Sequence, residues 1–273
     1  MSGRSTLSVV VLIAFLAALN GCTRHHERAS VTIVTTPEIA GTGVAKMLAD
    51  TFSVESKVAT TVIVTEARFV PDLVRKGVVD ATITTSPELK RQLQESKLVR
   101  LGETIGYDDY LLLGPKRDPA QTKGAKTAAE ALRRIARRDR VFCAPVDVPE
   151  LREREALLWD ASPASPSDNR RYLACRGSAV DVLHEASRRG AYTLTDRATY
   201  ERARGEIALV PLIQRTPLLH NDLTVLLSTT TSPRPNAEWF VQWIMSYRGR
   251  EVIQRFRYGD GQRLFVTERG VTP

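Results

Sequence analysis

The sequence lacks the local motifs of the common enzyme classes. Its 273 residues contain no G-x-S-x-G nucleophile elbow, no H-E-x-x-H zinc motif, no phosphate-binding Gly-Lys-Ser/Thr loop and no Cys-x-x-Cys pair. Histidine is scarce: His25 and His26 fall in a predicted linker, His184 on an amphipathic helix and His220 in a loop. We therefore expect a protein that is not an enzyme and that holds neither a metal nor a cofactor.

Cysteine is also scarce, with three residues in the chain. Cys22 belongs to the amino-terminal region described next, which leaves Cys143 and Cys175, separated by 175 − 143 = 32 residues. Each follows a strand-like run in the same predicted lobe. In an oxidising compartment the two predict a disulfide worth roughly 3 to 4 kcal/mol, and two separately buried thiols are the alternative.

The chain has no hydrophobic run long enough to cross a membrane, which would need about 20 apolar residues. Arg4 and the apolar run at 9–19 are instead typical of a secretory signal peptide, predicted at 1–21. Leu19-Asn20-Gly21-Cys22 looks like a lipoprotein cleavage box, so we expect lipid on Cys22, a tether at 22–29, and a periplasmic protein anchored to the cell-envelope membrane. An ordinary soluble exported protein is the alternative.

Acidic residues are fewer than basic ones, with 31 Asp and Glu against 39 Lys and Arg and a net charge of +8. Arginine is concentrated in two predicted helical segments, at 133–140 and 248–257. A basic surface can bind nucleic acid, but an exported chain rarely meets it. We therefore expect a solvated basic face, able to lie against anionic lipid, and no nucleic-acid partner.

Short apolar strands alternate with amphipathic helices from residue 30 onward. Strands predicted at 31–34, 58–64 and 80–83 are each followed by a helix, and this pattern predicts a mostly parallel sheet flanked by helices. The same alternation resumes after the basic helix at 127–138. The fold class is therefore α/β, with two lobes.

The chain is predicted to cross between these lobes twice. The first crossing falls at 110–114 and the second near 223–227, after an irregular segment. Residues 30–112 together with 223–273 then form the first lobe, and residues 113–222 form the second. Two crossings would act as a hinge between the lobes.

Residues 190–200 contain a predicted helix end, a short strand and the start of a new helix. Gly190 is free to take the left-handed conformation of a helix cap, the strand is predicted at 191–194, and Thr195 or Asp196 can cap the next helix. In an α/β domain such turns lie at the carboxyl ends of strands, where small ligands bind. The stretch therefore predicts a turn that lines a cleft.

This stretch, Gly-Ala-Tyr-Thr-Leu-Thr-Asp-Arg before a Thr-Tyr pair, resembles the tungstate-binding proteins, the solute receptors of bacterial tungstate and molybdate importers. The resemblance extends through the segments at 114–120, 126–131, 155–159 and 259–265 and covers roughly residues 30 to 267. It implies the two-lobed, type II periplasmic binding protein architecture. It also implies an oxyanion held in the cleft by hydroxyls, backbone amides and an arginine.

The ligand loops of this chain depart from the family pattern. The family's hydroxyl-rich first loop is matched by Thr35-Thr36-Pro37-Glu38-Ile39, its anion-binding arginine falls at Pro145, and its Gly-Met-Gly turn is matched by Ser178-Ala179-Val180. A glycine loop is replaced by Glu66-Ala67-Arg68-Phe69. The candidate ligand-binding residues are Thr35, Thr36, Glu38, Arg68, Thr85, Ser86, Ser178 and Arg197.

Glu38 decides which ligands these loops can take. A carboxylate about 4 Å from one unit of ligand charge costs roughly 4 kcal/mol at an effective dielectric of 20. If Glu38 points inward, a dianionic oxyanion is disfavoured. If it points outward the penalty disappears, and if it pairs with Arg68 the cleft would suit a polar or zwitterionic solute, or no ligand at all.

Two functions of different classes follow. The first is a monomeric, lipid-anchored receptor that delivers a small solute, with a tungstate- or molybdate-like oxyanion implied by the resemblance, to an ABC permease and ATPase. The second is a degenerate binding protein that acts as an envelope sensor or protein-interaction module.

Overall fold

The computed structural model describes residues 30–229, 235–258, 262–263 and 265–267. The predicted signal peptide at 1–21, Cys22 and the tether at 22–29 lie outside the described residues. Among the described helices, none has the length and apolar content that a membrane crossing needs.

Strands and helices alternate along most of the described chain, as the sequence pattern predicts. The strands are β1 (Ser30–Thr35), β2 (Ala59–Val64), β3 (Ala81–Thr84), β4 (Val99–Pro115), β5 (Phe142–Pro145), β6 (Tyr172–Cys175), β7 (Thr193–Asp196), β8 (Leu209–Ile213), β9 (His220–Ser228), β10 (Arg257–Tyr258) and β11 (Gln262–Arg263). The α-helices are α1 (Pro37–Thr42), α2 (Val44–Ser56), α3 (Val70–Arg75), α4 (Pro87–Glu95), α5 (Ala128–Arg137), α6 (Pro149–Asp160), α7 (Ala179–Arg189), α8 (Arg197–Ala203), α9 (Pro235–Met245) and α10 (Tyr247–Arg255).

The first lobe is built on a sheet in the order β2-β1-β3-β9-β4. Strand β1 pairs in parallel with β2 and β3, whereas β9 runs antiparallel to both β3 and β4. Its buried side chains form two hydrophobic clusters on either side of this sheet. Phe52, Phe240 and Phe265 are fully or almost fully buried in the larger cluster.

The second lobe repeats this arrangement. Strands β5 and β6 are parallel, and β5 is joined to the segment before β7 by a parallel bridge between Phe142 and Tyr192. Strands β7 and β8 then pair antiparallel with β4. Each lobe therefore has three parallel strands, with β1 in the middle in the first lobe and β5 in the middle in the second. Antiparallel strands extend the sheet of each lobe beyond these three.

Strands β4 and β9 connect the lobes side by side. The first part of β4 pairs with β9, as far as the register Asp109↔His220, and its last residues from Tyr110 onward pair with β7 and β8. Leu219 packs in a second-lobe cluster and Leu223 in a first-lobe cluster, so the chain returns between these two residues.

The stretch at 190–200 folds as a capped turn. Gly190 ends α7 with a positive φ of 57°. Strand β7 begins at Thr193 rather than at 191, because the backbone of Tyr192 is bridged to β5. Asp196 caps α8 by accepting a hydrogen bond from the Thr199 amide at 2.8 Å. The helix then packs against the first lobe, where Ala198 is buried.

The second-lobe core is tied together around two of its strands. Cys143 of β5 and Cys175 of β6 form a disulfide, with the two Cα atoms 5.5 Å apart. The buried Tyr192 hydroxyl accepts from the Ala120 amide at 2.8 Å and donates to Asp118 at 2.9 Å. Its ring lies directly against Gly114 of β4, where an added Cβ would come within 2.6 Å of the ring.

Candidate functional site

A small buried cavity lies between the lobes, beside the crossing, which is the point where β4 and β9 pass from one lobe to the other. Its volume is about 20 Å³, room for one water molecule. Both lobes contribute to its wall. The lining residues that the structure describes are Glu38, Ile39, Thr42, Thr85, Asp108, Tyr110, Val148, Glu150, Leu151, Asp196, Asn221 and Phe265.

The strand order explains which loops reach this cavity. Glu38, Thr85, Glu150 and Asp196 follow or end β1, β3, β5 and β7, which lie toward the middle of each lobe's sheet. Ligands bind at this edge in α/β folds because the carboxyl ends of parallel strands meet there. The loops after the outer strands β2 and β6 do not line the cavity.

Two of the acidic residues occupy equivalent positions in the two lobes. Pro37-Glu38-Ile39 begins α1 and Pro149-Glu150-Leu151 begins α6, and each helix has proline at its first position and glutamate in its first turn. A third such triplet, Pro87-Glu88-Leu89, begins α4, but Glu88 is exposed and bonds Arg91 at 2.6 Å. The first two glutamates instead face each other across the cleft.

Burial places Glu150 in an unfavourable setting for a negative charge. Burial and the charge of the adjacent Glu38 together raise the pKa of this carboxyl from 4.5 to about 8. Below that value Glu150 keeps its proton in the folded protein. The closed cleft therefore favours an acid pair that carries a proton.

A second acidic pair lies at the crossing itself. The pKa of the buried Asp108 is raised well above its usual range by burial and by the charge of Asp196. Asp108 accepts a hydrogen bond from the Asn221 amide at 2.6 Å, which joins β4 to β9. Arg197 does not neutralise it directly, because its guanidinium donates to Asp109 at 3.1 Å and to Gln214 at 3.0 Å.

Three acceptor atoms in the cavity wall are buried without a donor among the described residues: Glu38 Oε2, Glu150 Oε2 and Asn221 Oδ1. Glu150 and Asn221 are 7% and 4% exposed. Buried acceptors without donors are uncommon in folded proteins, because each carries the full free-energy cost of desolvation with no hydrogen bond to offset it. The wall is therefore rich in acceptors, and none of its described residues is Lys, Arg or His.

Among the predicted ligand residues, Glu38 and Thr85 line the cavity. Thr35 is buried next to it, but its hydroxyl donates to the Ile83 carbonyl at 2.8 Å. Thr36 precedes α1, and its carbonyl accepts a hydrogen bond from the Ala40 amide of that helix at 2.9 Å. Ser86 caps α4 and donates to Glu153 of α6 at 3.2 Å, which is a contact between the lobes.

Arg68 and Ser178 occupy exposed positions away from the cavity. Arg68 pairs with Glu66 at 2.9 Å and stacks on Phe69, so it does not pair with Glu38 across the cleft. Ser178 forms a capping box with Asp181 at the start of α7. Both follow outer strands, whose loops point away from the crossing. Arg197 lies at the crossing, bound to Asp109.

Several lining residues were not predicted as ligand residues: Asp108, Tyr110, Glu150 and Asn221. Two signals could have found them. One is the repeated Pro-Glu-aliphatic triplet after a strand, and the other is a carboxylate at Asp108 inside a strand that is otherwise buried and apolar toward its end. Buried carboxyl groups with perturbed pKa values cluster at functional sites.

A wider groove of about 680 Å³ lies on the outside of the second lobe, along α7. Its wall includes Arg176 and Arg188, which pair with Asp147 and Glu185. One lobe alone forms this groove and its charges are paired, so we locate the candidate site in the cleft instead. No group of His, Cys, Asp and Glu among the described residues is arranged to hold a metal ion.

Two lobes of this topology, joined by two neighbouring strands with a buried polar cavity between them, define a type II periplasmic binding protein. No protein-family model matches the chain. The chain is 24% identical to the tungstate-binding protein TupA of Peptoclostridium acidaminophilum over 278 aligned residues, 93% of this chain and 95% of that protein.

Solved structures of similar proteins have the same fold. The tungstate-binding protein TupA from Desulfovibrio alaskensis G20 superposes with a TM-score of 0.81 at 23% identity, over 88% of this chain and 98% of that one. The tungstate ABC transporter structure from Geobacter sulfurreducens gives 0.72 at 26% identity, over 83% and 98%. The chain is thus similar to tungstate-binding proteins over most of its length, and the predicted fold is confirmed.

Proposed function

We propose that this protein is the extracytoplasmic solute receptor of an ABC-type importer. Its cleft would bind a small solute between the lobes and present it to a membrane permease driven by an ATPase. The observation that carries this proposal is the cavity at the β4–β9 crossing, which is lined from both lobes. A solute bound there touches both lobes and thereby favours the closed state.

The relatives' printed names make tungstate and molybdate the first solutes to test. The cleft of this chain argues against a dianion, because Glu38 and Glu150 both line the cavity and no described lining residue is a cation. One carboxylate about 4 Å from a unit charge costs roughly 4 kcal/mol, or about three decades of affinity. Arg154 does not offset this, since it stacks on Tyr110 and donates to the Leu218 carbonyl.

Thermal unfolding and calorimetry would test the proposal. The protein is titrated with tungstate, molybdate and sulfate, and then with neutral, zwitterionic and cationic solutes. A true ligand at about 100 times its Kd should stabilise the protein by about 2.7 kcal/mol. A series in which no solute of any class gives a saturable shift would overturn the receptor function.

A second function, an envelope sensor or protein-interaction module, is favoured by one observation: the cavity has room for a single water molecule. A receptor that never opens would use its surface instead of its cleft. Small-angle X-ray scattering decides between the two, because a receptor should change its radius of gyration when a solute is added and a fixed module should not.

Anchoring completes the proposal. The predicted lipid on Cys22 would hold the receptor at the periplasmic face of an envelope membrane, next to the permease, and a monomer would suffice for delivery. Metabolic labelling with a fatty acid tests this, using Cys22→Ser as the unlabelled control. Labelling that persists in the variant would show that another residue carries the lipid.

A further inference from the structure

The cleft offers hydrogen-bond acceptors and few donors. Glu38 Oε2, Glu150 Oε2 and Asn221 Oδ1 all belong to residues that line one cavity, and none has a donor among the described residues. No group of three or more His, Cys, Asp and Glu within the described part of the chain is placed to hold a metal ion. The complement of such a wall is a ligand that carries several donors, no acceptor and a positive charge.

A protonated amino group has these properties. It carries three N–H donors and no acceptor, the same number as the acceptors left open in the wall. An ammonium head is close to water in size, and the cavity of about 20 Å³ holds one such group. A guanidinium is planar and larger, with five donors, and fits this space less well.

The charge of the two glutamates also favours a cation in this cavity. Two carboxylates approaching each other in a closed cleft repel unless a proton or another cation lies between them. In the structure Glu38 and Glu150 line the same cavity, and the raised pKa of Glu150 keeps such a proton on the pair. An ammonium group would replace this proton with a cation that bonds both carboxylates and Asn221 together, in charge-assisted hydrogen bonds that are stronger than neutral ones.

We propose that the cleft binds its solute through a protonated amino group held by Glu38, Glu150 and Asn221. This inference rests on the proposed receptor function and names its solute class. The remainder of the solute would occupy the cleft in a less closed state, which hinge motion permits. The chain thus keeps the scaffold of an oxyanion-binding family with a cleft of the opposite preference.

The test compares cations that differ in donors at the same charge. Methylammonium and tetramethylammonium chlorides are titrated at equal ionic strength and about pH 8, with binding followed by thermal unfolding and calorimetry. Methylammonium should bind saturably and tetramethylammonium should not, because the latter has no N–H donor. Equal responses to both salts would overturn the proposal.

Variants locate the binding. Glu150→Gln and Glu38→Gln should each weaken methylammonium binding by about tenfold or more, since each removes one charged acceptor. Glu88→Gln is the matched control, because Glu88 is the glutamate of the third Pro-Glu-aliphatic triplet but is exposed and pairs with Arg91 rather than lining the cavity. It should leave the affinity unchanged. Equal losses in the cleft variants and the control would refute the site.

The two proposals fail differently. If tungstate or another solute without an amino group binds saturably and methylammonium does not, the amino-group proposal is overturned and the receptor function stands. If no solute binds at all, the receptor function is itself overturned.

Discussion

Replacing Glu150 by glutamine should remove much of the pH dependence of stability. The folded state raises the pKa of this carboxyl from 4.5 to about 8 by burial and by the neighbouring Glu38. Between these values the unfolded chain has released the proton and the folded protein still holds it. The folded state therefore binds more protons, and the free energy of unfolding falls as the pH rises through this window.

The magnitude follows from the same shift. Each pKa unit corresponds to about 1.4 kcal/mol, so a rise from 4.5 to about 8 amounts to about 5 kcal/mol of lost stability above the upper value. This is an upper bound, because opening of the cleft would hydrate the carboxyl. Glutamine fills the same space, carries no charge at any pH and avoids the loss.

Urea unfolding of the wild type and Glu150→Gln between about pH 5 and pH 9 measures this difference. The advantage of the variant should grow with pH by up to about 5 kcal/mol. Glu88→Gln is the control, because Glu88 has the equivalent position in its own triplet but is exposed and has its pKa lowered by Arg91. Parallel pH profiles for the wild type and Glu150→Gln would refute the reasoning.

Four further variants test the second lobe by chemical unfolding. Cys175→Ser should lower the free energy of unfolding by about 3 to 4 kcal/mol under oxidising conditions, and a loss that persists in full under reduction would refute a disulfide origin. Gly114→Ala should lower the free energy of unfolding by about 1 to 3 kcal/mol, because the added Cβ would collide with the Tyr192 ring. Gly190→Ala meets no neighbouring atom and should lower it by about 1 to 2 kcal/mol, because alanine disfavours the positive φ of this position. Tyr192→Phe should cost about 1 to 3 kcal/mol because it leaves Asp118 and an amide without their buried partner, and an unchanged midpoint would contradict that role.

Much of the fold could be predicted from local sequence signals. Hydrophobic periodicity located β1, β2, β3 and β7 to within two residues, whereas β8 was not predicted. Gly190 and Asp196 act as the helix caps that their residue types predict. Helix α1 was not predicted, because its six residues are too few to show a period. The length of β4 was also missed, since a strand shared by two sheets has no distinct sequence pattern.

The cleft could be predicted only in part. The direction of Glu38 is decided by α6 of the other lobe, whose Glu150 is more than a hundred residues away in the sequence. Arg68 and Ser178 were assigned to the cleft by matching loops along the chain, but both loops follow outer strands. Strand order is a long-range property, so no local pattern separates these loops from those that reach the cavity.

The position of β9 also determines the order in which the lobes can form. In the first-lobe sheet this strand lies between β3 and β4, although it is made more than a hundred residues after either of them begins. A growing chain can therefore complete the strands of the second lobe while the first-lobe sheet still has a gap at its centre. Closure of that gap must wait until residue 228 is available, which would delay the burial of the first-lobe core until the chain is nearly complete.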